Sequence, residues 1–338
     1  MVTQDHRKLL ADLRPWVEAF RGRRVVVWGD LVADRFLWGS TTRVSREAPA
    51  LVLRYEGEDV RPGAAGNAAL NVAALGADVR VFGHVGDDDA GRSLAGALAD
   101  AGIDISAVDR RDDGTTPVKT RVMAGGSDTV RQQVLRIDDE HAWRERPAND
   151  DVEHLTAMLA TADALLVSDY GLGTVSAADY KRLQAAAAAS NVPVTVDSRH
   201  RLLDFPGATA VTPNESEVEG VLRVHLNHDR EAIERAGAEL LERLDCEHVL
   251  ITRGSQGMAI FQRHELPVHL PIHGTDEIAD VTGAGDTVIA TLTLALASGA
   301  DVVAASWLAS VAAGLVVLKH GTAAVPHPEL IAALDGDS

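Results

Sequence analysis

Short apolar runs alternate along this chain with Ala-rich stretches of helical length, and that alternation restricts the fold more than any other feature. Residues 25–28, 79–82, 164–167, 192–196, 210–211 and 249–252 read as buried strands bounded by Gly, Asp, Asn or Pro. Between them, 65–75, 92–101, 177–190 and 231–244 read as helices. A βαβα order implies an α/β fold, a mostly parallel sheet with helices on both faces. Ligands are then expected beyond the C-terminal ends of the strands. Two segments break the pattern. Residues 36–55 and 117–137 are β-prone and rich in Arg and Lys, without an intervening crossover helix, and fit a small antiparallel sheet projecting as a lid or dimer surface. No repeat or long linker separates them, so residues 1–338 are expected to form one domain with an inserted lid.

Charge removes several functions. Fifty acids against 32 Lys and Arg give a net charge of −18, which repels nucleic acid and anionic membranes. Any anionic ligand must therefore meet a local gathering of cations and backbone N–H groups. The single cysteine, Cys246, excludes an intramolecular disulfide and fits a reducing cytoplasm, where it reads as a small buried hydrophobe. Residues 1–24 lack a signal-peptide pattern and read as an amphipathic helix, with Leu9, Leu10, Leu13, Trp16, Val17 and Phe20 at helical spacing. Residues 302–318 are uncharged, at the lower edge of membrane-spanning length, but contain Ser306, Ser310 and Gly314 and are expected to be a buried helix.

The segment Asp280-Val281-Thr282-Gly283-Ala284-Gly285-Asp286 precedes the uncharged helical run 287–297. A Gly-Ala-Gly turn entering a helix leaves N–H groups pointing one way, an anion site strengthened by the helix dipole. Asp286 could accept the proton of a hydroxyl attacking a phosphoryl group, or could simply be an early-helix acid. A second small-residue cluster, Gly63-Ala64-Ala65-Gly66-Asn67, enters another helix; Asn67 offers a donor and an acceptor to a polyol, or the cluster is only a tight loop. Asp30 and Asp34 follow the first strand, where an acid can receive sugar hydroxyls or act as a turn residue. Asn214 and Glu217, in Asn214-Glu215-Ser216-Glu217, suit either water-bound Mg²⁺ or a reciprocal helix cap. Thr252-Arg253-Gly254 supplies a hydroxyl, a cation and a flexible turn after a strand. No G-x-x-x-x-G-K-[ST] segment occurs, since Gly114 to Thr120 lacks the second glycine, and no G-x-G-x-x-G follows the first strand.

Taken in order, Gly29 with Asp34, Gly63 to Asn67, Asn214 to Glu217, Thr252 to Gly257 and Asp280 to Asp286 resemble the motifs of the ribokinase, or PfkB, family of carbohydrate kinases across about 24–326. Further segments resemble the heptose-7-phosphate kinases, including the kinase half of bifunctional kinase/adenylyltransferases. They are Thr42-Arg43-Val44-Ser45-Arg46-Glu47-Ala48-Pro49, Lys119-Thr120-Arg121-Val122, Leu135-Arg136-Ile137-Asp138 and Ser168-Asp169-Tyr170-Gly171. A chain ending at Ser338 is expected to be the kinase alone.

This resemblance implies a ribokinase-like three-layer sandwich and transfer of the γ-phosphoryl of ATP, with Mg²⁺, to the anomeric hydroxyl of D-glycero-D-manno-heptose 7-phosphate. Asp286 would be the base, with Gly283, Ala284 and Gly285 as the anion hole. Asp34, Gly63, Asn67 and Asp169 would bind the sugar. Arg43, Lys119, Arg121 and Arg136 would hold its distal phosphate, unless they are a solvated basic edge. Asn214, Glu215, Ser216, Glu217, Thr252, Arg253, Gly254 and Gly257 would face nucleotide phosphates, with Glu217 on Mg²⁺ through water. Lys319 and Gly321 would close over the adenine or form an ordinary helix end. Asp280 and Thr282 resemble positions that hold a monovalent cation, K⁺, in some relatives. A homodimer through the lid is expected, since an exposed sheet edge is often covered by a symmetry mate. Two departures from the family, Leu172 where Lys is common and Asp197-Ser198-Arg199 for Asp-Pro-Lys, leave other sugars or phosphosugars open as acceptors.

Overall fold

The computed structural model describes residues 4–125, 131–141, 143, 149–273, 280–319 and 321–336. In chain order its elements are α1 (Gln4–Glu18), β1 (Arg24–Gly29), β2 (Leu31–Val44), β3 (Leu51–Ala64), α2 (Ala65–Ala74), β4 (Asp78–Gly86), α3 (Asp89–Asp100), β5 (Asp104–Arg111), β6 (Val118–Gly125), β7 (Gln132–Asp139), α4 (Asn149–Leu159) and β8 (Ala164–Asp169). There follow α5 (Ala177–Ala189), β9 (Val194–Ser198), β10 (Ala210–Val211), α6 (Glu215–Leu222), α7 (Arg230–Leu244), β11 (His248–Thr252), β12 (Met258–Gln262), β13 (Val268–Leu270), α8 (Ala284–Ala297), α9 (Val302–Val316) and α10 (His327–Asp335).

Nine strands form one sheet in the order β13-β12-β11-β10-β9-β8-β1-β4-β5, parallel except for the antiparallel edge pairs that β12 makes with β11 and β13. Side-chain alternation distributes this sheet between two helical layers. Val25 and Val27 enter a core shared with α1, α2, α3, α8, α9 and α10, while Val26 and Trp28 enter the core beneath α4, α5, α6 and α7. This is the expected three-layer α/β arrangement. The uncharged run at 302–318 forms α9, which packs on α8 with buried residues around most of its circumference, so its lack of charge reflects burial inside the protein. Among the described residues, no helix is long and apolar enough to cross a membrane.

The lid is a separate four-stranded sheet, β3-β2-β6-β7. It begins earlier than expected, at Leu31, because only Asp30 separates β1 from β2 and the chain stays extended through the join. Residues 126–130 of the expected lid segment lie outside the described residues. Chain order leaves β1 for β4 on one side and returns to β8 on the other, so the sheet switches direction at β1. The lid springs from that point, above the strand ends where open α/β sheets place their ligands.

Candidate active site

Register explains why the lid's basic residues converge. Directly paired residues share a face, and Asp34 pairs with Lys119, Phe36 with Arg121, and Arg121 with Arg136. One face of three neighbouring strands therefore carries Asp34, Lys119, Arg121 and Arg136. It closes over a cavity of about 200 Å³ that these four residues line together with Tyr170, Arg199, Thr282, Gly283, Asp286 and Thr322. Arg121 Nη2 donates to Asp34 Oδ1 at 3.1 Å, Lys119 Nζ lies 2.9 Å from Glu140 Oε1, and Arg136 pairs with Asp138. Burial raises the Asp34 pKa above the usual carboxylate value, against the pull of Arg121, Lys119 and Arg136.

Asp286 stands in the first turn of α8, whose preceding residue Gly283 adopts φ 81°. Its carboxylate accepts from Asn67 Nδ2 at 2.6 Å and from the Tyr170 hydroxyl at 3.4 Å. Burial, with Asp34 nearby, pushes its pKa up to about 7, while the Asn67 and Tyr170 hydrogen bonds pull the other way. A carboxylate so poised can accept a hydroxyl proton near neutral pH. The same turn separates two cavities. Thr282, Gly283 and Asp286 face the lid cavity, whereas Val281, Ala284, Gly285 and Val288 line a second one of about 210 Å³. That second cavity is walled by Met258, Ile272, Ala313 and Val317 and also bordered by Thr252, Gly254 and Gly257, an apolar slot suited to a planar base.

The remaining expected residues fall into distinct places. A Cβ on Gly63 would lie 2.7 Å from Asp34 Oδ2, so this glycine admits the Asp34 side chain. Asn67 is fully buried against Asp286. Asp169 is buried and accepts from Ser198 Oγ at 2.7 Å, from the Gly171 N–H and from Arg201; it does not line the lid cavity. Arg43 is exposed near the tip of β2, nine residues and roughly 30 Å of extended strand from Asp34. Asp30 is sealed beneath the site, its carboxylate accepting the N–H groups of Tyr170, Leu172 and Thr174 at 2.8–3.0 Å. It anchors a wall instead of facing a ligand.

Asn214 and Glu217 form a capping box at the start of α6, each side chain accepting the other's N–H at 2.9 Å, and both line a third, polar cavity of about 310 Å³ with Ser216, Arg199 and His200. Burial raises the Glu217 pKa, and it raises that of the neighbouring Asp197 well above the usual range. Arg253 donates to Glu215 Oε1 at 2.9 Å and to Gln256. Lys319 turns to the Ala324 carbonyl and Glu329. Asp280 ties two backbone segments, accepting from Thr282 at 2.9 Å and from Gly321 at 3.0 Å. Despite partial burial, those donors hold its pKa low. His320, between Lys319 and Gly321, lies outside the described residues. Among the described residues, no group of three or more His, Cys, Asp or Glu could hold a metal ion.

Tyr170, Arg199 and Thr322 line the lid cavity without having been assigned a contact from sequence. For Tyr170 and Arg199 the signal is position, since they directly follow β8 and β9, at the ligand-bearing edge of the sheet. The Thr322 hydroxyl is buried with no hydrogen-bond partner.

Two cavities thus meet at one Gly-Ala-Gly turn, one apolar and one lined by Asp286 and cations. The model of the pfkB family of carbohydrate kinases matches residues 23–329. This chain belongs to that family. It is 42% identical over 307 residues to the Bifunctional protein HldE of Pseudomonas aeruginosa, covering 90% of this chain and 62% of that protein. It is 41% identical over 314 residues to the Bifunctional protein HldE of Methylococcus capsulatus, covering 93% and 64%. The chain thus spans less than two thirds of the length of these relatives. Among solved structures this pfkB-family chain is similar to Arabidopsis thaliana ribokinase complexed with ribose and ATP, with TM-score 0.73 and 22% identity over 93% of this chain and 99% of that one. Phosphofructokinase-2 from Escherichia coli in complex with potassium gives TM-score 0.71 and 17% identity over the same shares. The ribokinase-like fold expected from the sequence is the fold found.

Proposed function

We propose that this chain transfers the γ-phosphoryl of ATP to the anomeric hydroxyl of D-glycero-D-manno-heptose 7-phosphate, giving the 1,7-bisphosphate. The observation that carries the reading is the lid cavity, where Asp286 faces Asp34 and the cations Lys119, Arg121 and Arg136 in a volume of about 200 Å³. A carboxylate near pKa 7 serves the attacking hydroxyl, and cations opposite it suit an acceptor that already bears a phosphate. Similarity to the HldE proteins at about 40% identity supports this acceptor over other sugars.

ATP would place its base in the apolar cavity and its phosphates at the Gly283-Ala284-Gly285 turn. Mg²⁺ would be held through water by Glu217, which lines the polar cavity and whose Oε2 accepts the Asn214 N–H. K⁺ would lie near Asp280 and Thr282, the reading favoured by the potassium complex of the phosphofructokinase-2 relative. The whole is read as one kinase domain with a lid, working in the cytoplasm as a homodimer through that lid.

A second reading has one observation in its favour. Each of Lys119, Arg121 and Arg136 already has an acidic partner, which suits an unphosphorylated acceptor. Turnover of ATP against a panel of sugars and sugar phosphates decides between them. Lys119→Ala should raise KM for the phosphorylated acceptor about tenfold or more. Equal KM changes for phosphorylated and unphosphorylated acceptors would favour the second reading.

A further inference from the structure

Arg199 occupies a position no other cation in this molecule shares among the described residues: it lines both the lid cavity with Asp286 and the polar cavity with Asn214, Ser216 and Glu217. It follows β9 directly, its N–H bonded to the Asp169 carbonyl at 3.0 Å, so its backbone is fixed at the edge of the parallel sheet. Its guanidinium carbon lies 5.6 Å from the centre of the Tyr170 ring, and the Tyr170 hydroxyl reaches Asp286. The side chain is thus held beside the base by stacking, which leaves its N–H fork available.

Availability distinguishes it from its neighbours. Lys119, Arg121 and Arg136 are paired with Glu140, Asp34 and Asp138. Arg199 has no acidic partner in hydrogen-bond or ion-pair range among the described residues. The junction where it stands is crowded with acids. Burial, with Glu217, Asp286 and Asp169 nearby, raises the Asp197 pKa there, and Arg199 is a cation that opposes that effect. A phosphoryl group carrying two to three negative charges could not approach Asp286 through such a junction without a cation to meet it.

We propose that Arg199 contacts the γ-phosphoryl group as it passes from nucleotide to acceptor. In that step the acceptor oxygen forms a bond to the γ-phosphorus, and the bond from that phosphorus to the bridging oxygen breaks. The electron pair leaves on the β-phosphate of ADP, and the hydroxyl proton goes to Asp286. Arg199 forms no bond; its N–H groups meet the non-bridging oxygens, where charge is spread in the transition state. The inference rests on the kinase reading above and deepens it. It gives the Ser198-Arg199 departure a function, since a planar fork can bridge two phosphoryl oxygens where an ammonium is a point charge.

The test compares wild type, Arg199→Ala and Arg199→Lys with ATP and the sugar phosphate giving the highest wild-type turnover. Calorimetry then measures ADP binding with and without aluminium fluoride, a mimic of the transferring group. Arg199 is exposed, so both variants are expected to fold, and a thermal melt verifies it. Arg199→Ala should lower kcat on the order of 10²-fold, with acceptor KM changed by no more than a few-fold. It should also abolish the tightening of ADP by aluminium fluoride, and Arg199→Lys should recover part of both. An unchanged kcat with a raised acceptor KM would place Arg199 on the acceptor's own phosphate and overturn the inference, as would no change in either constant. If the wild type phosphorylates no acceptor, the kinase reading falls and takes this inference with it; if only the variants behave as wild type, the inference alone falls.

Discussion

The side-chain amide of Asn67, at the start of α2, donates a 2.6 Å hydrogen bond to Oδ2 of Asp286, 219 residues away in the first turn of α8. It favours the charged carboxylate against the burial that pushes the Asp286 pKa up to about 7. If Asp286 takes the acceptor's proton, kcat should rise with pH through about 7 on its acid side. Asn67→Ala removes the donor and should move that limb upward by on the order of one pH unit, since a hydrogen bond to a charge is worth about 1.5–3 kcal/mol. A pH–kcat profile of the two proteins checks it; coincident acid limbs would exclude Asp286 as the titrating group.

The same carboxylate should cost stability. Its folded pKa lies above the unfolded value of about 3.9, so the folded state holds the proton more tightly. Stability from this group is fully present below about pH 4, is lost as pH rises towards 7, and stays lost above. Asp286→Asn should therefore abolish turnover yet raise Tm at pH 8, with the gap closing towards pH 5. The shift corresponds to on the order of a few kcal/mol. Thermal melts at the two pH values read it directly, and a gap independent of pH would show that ionisation of Asp286 is not its source.

The architecture around this pair was largely legible from the chain. Valine-rich strands between Ala-rich helices, and the β-prone basic segments, announce a parallel sheet with a lid. The edges were harder to see. β5 is mixed in polarity and β13 is only three residues long, and edge strands need no continuous apolar run. Arg43 of the expected cation set stands near the far end of β2 and does not line the lid cavity, whereas within the candidate site Asp286 follows from its motif and Lys119, Arg121 and Arg136 from the basic lid segments. The partners of Arg253 and Lys319 do not: Glu215 and Glu329 reach them only because of tertiary packing. Nor does the Asn67 bond to Asp286, which exists only because α8 packs on α2.

Two glycines of the turn should respond differently to the same substitution. A Cβ on Gly283 would sit 2.5 Å from Asn67 Nδ2, on a backbone at φ 81°, whereas no described atom lies within 4 Å of one on Gly285. Gly283→Ala should destabilise the protein by about 1–3 kcal/mol and disturb the Asn67–Asp286 bond. Gly285→Ala should fold as wild type, and its methyl group, in the apolar cavity, should raise KM for ATP if the base binds there as proposed. Urea unfolding and ATP kinetics separate the two; equal stability losses would contradict the local geometry.

Asp30 gives the clearest test of how the lid cavity is held. Its buried carboxylate accepts three N–H groups from the loop that carries Tyr170, at 2.8–3.0 Å, and burial raises its pKa despite those bonds. Asp30→Ala would strand all three donors in a site closed to water, and each buried unsatisfied group costs about 1–3 kcal/mol. The loss should be at least about 3 kcal/mol in urea unfolding, with Asp30→Asn losing less because its amide oxygen still accepts. Tyr170 would lose its anchor as well, so Asp30→Asn should also lower kcat even where the protein remains folded. A folded Asp30→Asn with wild-type kcat would show that the wall holds its shape without this carboxylate.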